Sequence, residues 1–196
     1  MARSSADLRV ISDPRPPPAL PSAVLGMSIF VVTEAMMFAG LISAFLIVKA
    51  SSTGAWPPPG QPRLPVEETA FNTVALLVSG VFLWRAKRAF EETPASALRP
   101  LAIAMGLGTF FVLFQGYEWA LMLTQGLTIT SSNHGSFFYL IVGMHALHAV
   151  IGLALLGHAF WRLQSGFLSA SRFSAAQIFW LFVVGLWPVL YVLVYT

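Results

Sequence analysis

The sequence predicts an all-α membrane protein, a bundle of five transmembrane helices with the N-terminus inside and the C-terminus outside. Three observations carry this. Hydrophobic residues make up 57% of the 196 residues and charged residues 10%, with a mean hydropathy of +0.74, too apolar for a water-solvated globule of this size. Five windows long enough to cross a hydrocarbon core, about twenty apolar residues each, fall at roughly 24–48, 67–88, 99–124, 135–161 and 173–195. Between them the basic residues segregate. With a cytoplasmic N-terminus, Arg3, Arg9, Arg15, Arg85, Lys87, Arg88, Arg99, Arg162 and Arg172 fall inside and only Lys49 and Arg63 outside, which is the positive-inside pattern.

Residues 1–22 read as a polar tail, rich in proline (Pro14, Pro16, Pro17, Pro18, Pro21) and lacking the apolar core of a cleavable signal. Residues 23–196 form the expected membrane domain. Its first helix contains one charge, Glu34. The external loop Trp56–Pro65 is stiffened by prolines and reads as a docking or lid segment. In the second helix the uncharged stretch is short, Thr69 to Trp84, so Glu67 and Glu68 at its start and Arg85, Lys87 and Arg88 at its end belong at the interfaces, where they also complement the helix macrodipole. The third helix holds Gln115-Gly116-Tyr117-Glu118-Trp119, with Glu118 expected in its outer part. The fourth holds Gly143-Met144-His145-Ala146-Leu147-His148. Trp84, Trp119, Trp161 and Trp180 are expected near helix ends as an aromatic belt.

The signatures of several function classes are absent. There is no cysteine for a disulfide or thiolate metal site. The net charge of +3 is spread between spans, not arranged for nucleic acid. No phosphate loop, nucleophile motif or metalloprotease helix appears, and five spans do not divide into the inverted repeats of a transporter.

The candidate site residues are the polar groups left inside the spans. A carboxylate about ten residues into a helix rising ~1.5 Å per residue lies near the membrane midplane, where an ionised acid is costly unless neutralised or paired. Glu34 is therefore a functional candidate, expected as a buried protonated carboxyl with a proton, lipid or interhelical role. Glu118 is the second intramembrane acid, with an interfacial or structural role expected. No Lys or Arg lies within a span to pair with either, leaving Thr33, Asn72, Thr73, Gln115, the histidines or a lipid headgroup as partners. His145 and His148, three apart, share a helix face, but no third ligand accompanies them, so interhelical packing is preferred to metal binding. Gly143 and Gly152 are expected to allow close helix approach there, and Asn72 to serve as a polar packing group. His134 and His158 are expected at the interfaces.

These pieces resemble subunit III of the haem-copper cytochrome oxidases in a short, five-helix form. The carriers are Thr33-Glu34, Trp56-Pro57-Pro58-Pro59-Gly60, Leu64-Pro65-Val66-Glu67 leading into Phe71-Asn72-Thr73, Gln115-Gly116-Tyr117-Glu118, and Gly135-Ser136-Phe137-Phe138 running into Gly143–His148. The resemblance implies a non-catalytic subunit that carries no haem or copper itself. Haem and copper are expected on partner subunits, and bound phospholipid on this one. The implied partners are oxidase subunit I directly, subunit II and a small subunit IV, with no nucleic acid, in the cytoplasmic (inner) membrane of a bacterium. It also places Glu34 at the family's carbodiimide-reactive acid, linked to proton uptake. One departure stands out: the family's Trp-His-x-x-Asp reads Trp180-Leu181-Phe182-Val183-Val184 here. Two alternatives stay open, an accessory subunit of nitric oxide reductase and an independent small proton-coupled transporter.

Overall fold

A computed structural model of the chain describes residues 20–52, 56, 58, 62 and 64–195. Most of the expected tail and of the proline-rich loop, including Arg3, Arg9, Arg15 and Arg63, lies outside the described residues. Five long helices, α1 (Ser22–Ser51), α2 (Val66–Glu92), α3 (Leu98–Thr124), α4 (Asn133–Gln164) and α5 (Ala170–Leu190), are each long and apolar enough to span a bilayer. No strand occurs among the described residues.

The helix ends follow from local chemistry. α1 begins after Pro21 and carries Lys49 in its last turn, favourable at the negative end of the dipole. Its Thr33 and Ser43 hydroxyls bond back to the carbonyls of Phe30 and Ala39, so these polar side chains enter the span already satisfied. α2 runs one turn beyond the expected Arg88. Lys87 bonds Glu91 one turn on, and Phe90 packs edge-on against Phe173 of α5 at 5.2 Å. A short 3-10 turn, Pro94–Ala97, then reverses the chain.

α3 and α4 both end in Schellman motifs. Gly126 and Gly166 take left-handed φ values of 91° and 75°, while Leu127 N–H bonds Met122 O at 3.1 Å and Phe167 N–H bonds Arg162 O at 2.9 Å. α4 starts two residues before the expected Gly135. The Ser132 hydroxyl accepts from Gly135 N–H at 3.0 Å, an N-cap, and a Cβ at Gly135 would collide with the Thr128 carbonyl. Within α5, Pro188 lacks the N–H that would close its own helical bond. The last turn widens into a π-helix, Tyr191–Tyr195.

α2 pairs with α3, α3 with α4, α4 with α5, and α5 returns to α2, while α1 lies against α4 and α5. The centre of this arrangement is Trp180, which is fully buried. Its indole lies between two notches: a Cβ at Gly108 of α3 would stand 2.6 Å from Cζ2, and one at Gly152 of α4 would stand 2.7 Å from Cε3. Its Nε1 donates to Ser79 Oγ of α2 at 3.1 Å. Trp180 therefore joins α2, α3, α4 and α5, and is not part of an interfacial belt as the sequence suggested. An indole with no exposed edge needs a buried acceptor, and Ser79 supplies it. Trp84 and Trp161, by contrast, are exposed near helix ends, and the Arg88 guanidinium lies 3.9 Å from the Trp84 ring centroid. A second expectation also changes. A Cβ at Gly143 would meet nothing within 4 Å, whereas Gly152, Gly108 and, against Val184 of α5, Gly80 are close-approach positions.

Candidate functional site

Two polar centres lie inside the bundle, and they divide the residues singled out in the sequence. The first joins α1 to α4. Glu34 and His148 meet with Glu34 Oε2 at 2.9 Å from His148 Nε2. The other ring nitrogen, Nδ1, lies 2.7 Å from the Met144 carbonyl oxygen. A carbonyl can only accept, so Nδ1 carries a hydrogen. Nε2 and Oε2 then share one proton, held either as a neutral acid donating to a neutral imidazole or as a carboxylate accepting from an imidazolium. Both forms leave the pair with no net charge, which removes the cost of an isolated ion in the membrane. Of the partners the sequence left open for Glu34, the structure places His148 beside it.

Rings wall this pair in. Phe38 meets the His148 ring edge-on at 5.4 Å and Phe179 lies at 6.0 Å. Side-chain exposure is 8% for His148 but 17% for Glu34, so the carboxyl end faces outward on α1, the helix with the least of its span covered by the others.

The second centre lies between α2, α3 and the end of α5. Glu118 is buried, and its Oε2 accepts from Thr69 Oγ1 and Gln115 Nε2, both at 3.1 Å. Gln115 Nε2 also donates to the Tyr195 hydroxyl at 3.1 Å. Asn72 Nδ2 donates to the Phe111 carbonyl at 3.1 Å, with Gln115 Oε1 at 3.4 Å. Thr73 accepts from Trp187 Nε1 at 2.8 Å. These bonds run from Asn72 on α2 to α3. Thr69 and Tyr195 were missed because a threonine and a terminal tyrosine carry no mark of burial in the sequence. The π-turn after Pro188 is what brings Tyr195 to Gln115.

His145 and His148 do not act together. His148 turns to Glu34, whereas His145, about 60° round α4 from it, is buried with its ring 4.9 Å from that of Trp187. No group of three or more His, Cys, Asp or Glu side chains disposed for a metal exists among the described residues. The donors here do not fit a haem or copper centre. His134, in the first turn of α4, is buried within the bundle, edge-on to Trp56 at 5.4 Å. His158 is exposed and lines a cavity of about 180 Å³ between the starts of α1 and α5 and the end of α4, together with Arg162 and Arg172.

Comparison with known proteins decides what this arrangement belongs to. A family model described as cytochrome c oxidase subunit III matches residues 21–196. The chain belongs to the cytochrome c oxidase subunit III family. Cytochrome c oxidase subunit 3 of Lemur catta is 35% identical over 179 residues, covering 87% of this chain and 64% of the relative. The proteins of the same name from Dasypus novemcinctus and Equus caballus are 36% and 35% identical, each with 87% of this chain and 67% of the relative covered. The chain thus spans about two thirds of the length of these relatives. As a family member it is a multi-pass membrane protein, and the family's matched segments contain both centres: Glu34 and His148 in one, Asn72, Gln115 and Glu118 in the other.

Proposed function

We propose that this chain is the non-catalytic subunit III of a respiratory haem-copper terminal oxidase, seated beside subunit I, in contact with subunit II and a small subunit IV. In this reading it supports oxygen reduction coupled to proton translocation, while haem and copper reside on the partners. Family membership supports the oxidase over a nitric oxide reductase partner or a free-standing transporter, because the family's description is of a cytochrome c oxidase subunit. The observation that carries the chemistry is the Glu34–His148 pair. A proton shared between a carboxyl and an imidazole moves a short distance without creating net charge, and the partly exposed carboxyl can pass it to a neighbouring group or lipid. Glu34 is the exchanging group, and His148, held by the Met144 carbonyl, is its fixed partner.

Phospholipid binding is the second part of the proposal. Arg162 and Arg172 line one cavity, with apolar walls from Met27 and Leu155, and Arg162 Nε is buried without a hydrogen-bond partner among the described residues. A guanidinium with an unmet donor beside an apolar groove suits a lipid phosphate with its chains running along the groove. Both arginines lie at the end of the bundle that also carries Arg85, Lys87, Arg88 and Arg99, proposed to face the cytoplasm of a bacterium.

The test is purification in mild detergent. The oxidase reading expects haem and copper on co-purifying chains, with the optical spectrum of a haem-copper oxidase. A chain that purifies alone and transports protons in vesicles would overturn it. Arg162→Ala should lower the phospholipid retained per complex; unchanged lipid content would remove the lipid site.

A further inference from the structure

We propose that the cavity between α3 and α4 is a hydration site, in which water bonds the imidazole of His145 and joins it through Gln115 to Glu118. This goes beyond the oxidase reading and does not use the Glu34–His148 pair. The cavity has a volume of about 220 Å³, and its wall includes His145, Gln115, Phe111, Val112 and Ala146. His145 is 1% exposed, and neither of its ring nitrogens has a hydrogen-bond partner among the described residues.

The chemistry of an imidazole selects the ligand. A neutral ring has one N–H and one lone pair, so it needs both an acceptor and a donor. The ring lines the cavity, with Trp187 tilted against it at 4.9 Å and Phe111 perpendicular to it at 6.4 Å, and neither neighbour bonds its nitrogens. Water is the small ligand that donates and accepts at once, and the volume accommodates several molecules. An acyl chain would fill the space and leave both nitrogens unmet.

The neighbouring groups extend the site. Gln115 spends its amide hydrogens on Glu118 and Tyr195, and its Oε1 has only the 3.4 Å contact from Asn72, so it can accept from water. Asn72 Oδ1 and Glu118 Oε1 are buried acceptors with no partner among the described residues. Glu118 also lines a second cavity of about 190 Å³, shared with Glu68, Tyr117 and Gln125 where α2 begins and α3 ends. The carboxyl therefore stands between that end of the bundle and the His145 cavity. Phe111, Val112 and Ala146 make the rest of the wall apolar, so the proposed water is held at His145 and Gln115.

The experiment is water-edited solid-state NMR of the full chain in phospholipid bilayers. Met144–His145 is the one Met-His step in the sequence, so carbonyl-labelled methionine selects the His145 amide, and histidine labelled uniformly with carbon-13 and nitrogen-15 carries that assignment along the side chain to the ring nitrogens without a variant. The expected result is fast magnetisation transfer from water protons to the His145 ring nitrogens, with hydrogen-bonded shifts at both. Gly116→Leu should reduce this transfer several-fold, because Gly116 lines the cavity and a Cβ there meets nothing within 4 Å; His148 should be unaffected. Transfer to His145 from lipid acyl protons and not from water would overturn the proposal in favour of a bound chain. Water transfer that survives Gly116→Leu in a folded variant would place the water elsewhere and overturn it too. If that variant does not fold, Ala146→Leu takes its place, and the unsubstituted chain decides occupancy by itself. The measurement involves no partner subunit, so its failure is distinct from failure of the oxidase reading.

Discussion

The six-membered ring of Trp180 fills the space above Gly152, where an added Cβ would stand 2.7 Å from Cε3. The indole cannot retreat, because its far edge occupies the same kind of notch at Gly108. Gly152→Ala would gain about 0.5–1 kcal/mol of helix propensity, but forcing a methyl against an immobile buried ring costs about 1–3 kcal/mol. We expect net destabilisation, and a larger loss for Gly152→Leu. Thermal unfolding in detergent measures it, and an unchanged midpoint for Gly152→Leu would contradict this packing.

Ser79 is predicted to stabilise the fold through Trp180 alone. Ser79→Ala leaves the indole N–H buried and unbonded, at a cost of about 1–3 kcal/mol. In a Trp180→Phe background the same substitution should be near neutral, since the donor is gone. A double-mutant cycle reads the difference as a coupling energy; additive effects would show that the 3.1 Å contact contributes nothing.

Glu34→Gln should assemble normally and fail in turnover. Its amide can donate to His148 Nε2 in place of the shared proton, so the α1–α4 contact persists, but an amide does not exchange a proton at this site. Subunit stoichiometry and thermal midpoint should match the parent, with loss of sustained proton-coupled oxygen reduction. Full, lasting turnover would reduce Glu34 to a structural group.

Orientation is testable in this cysteine-free chain. Thr130 and Ser165 are exposed and lie at opposite ends of α4. Single cysteines there should react with an impermeant maleimide from opposite faces, position 165 from the cytoplasmic side. Labelling of both from one face would refute a spanning α4.

Metal removal should have no effect on the isolated chain. Its two central histidines face different helices, His148 towards Glu34 and His145 towards Trp187, so chelator dialysis should leave thermal unfolding unmoved. Stoichiometric iron, copper or zinc in the purified subunit would contradict the prediction.

Hydropathy alone determined the number, type and order of the helices here, because a bilayer leaves the backbone no alternative to helix where twenty apolar residues run together. The scarcity of charge within the spans likewise made Glu34 and Glu118 legible as candidates, and the Gly152 position could be read from its neighbourhood. The partners of those residues could not. Glu34 and His148 are 114 positions apart and Trp180 and Ser79 are 101 apart, so no local pattern connects them; only the relative rotation and height of packed helices does. The same holds for Trp180 itself, whose hydrophobicity suits an interface or a core equally well, and whose place was decided by two glycines on other helices. His145 and His148, neighbours on one helix, were separated for a related reason: a turn of about 100° per residue puts positions three apart within reach of different neighbours. Tertiary packing then assigned one to a carboxyl and the other to a cavity.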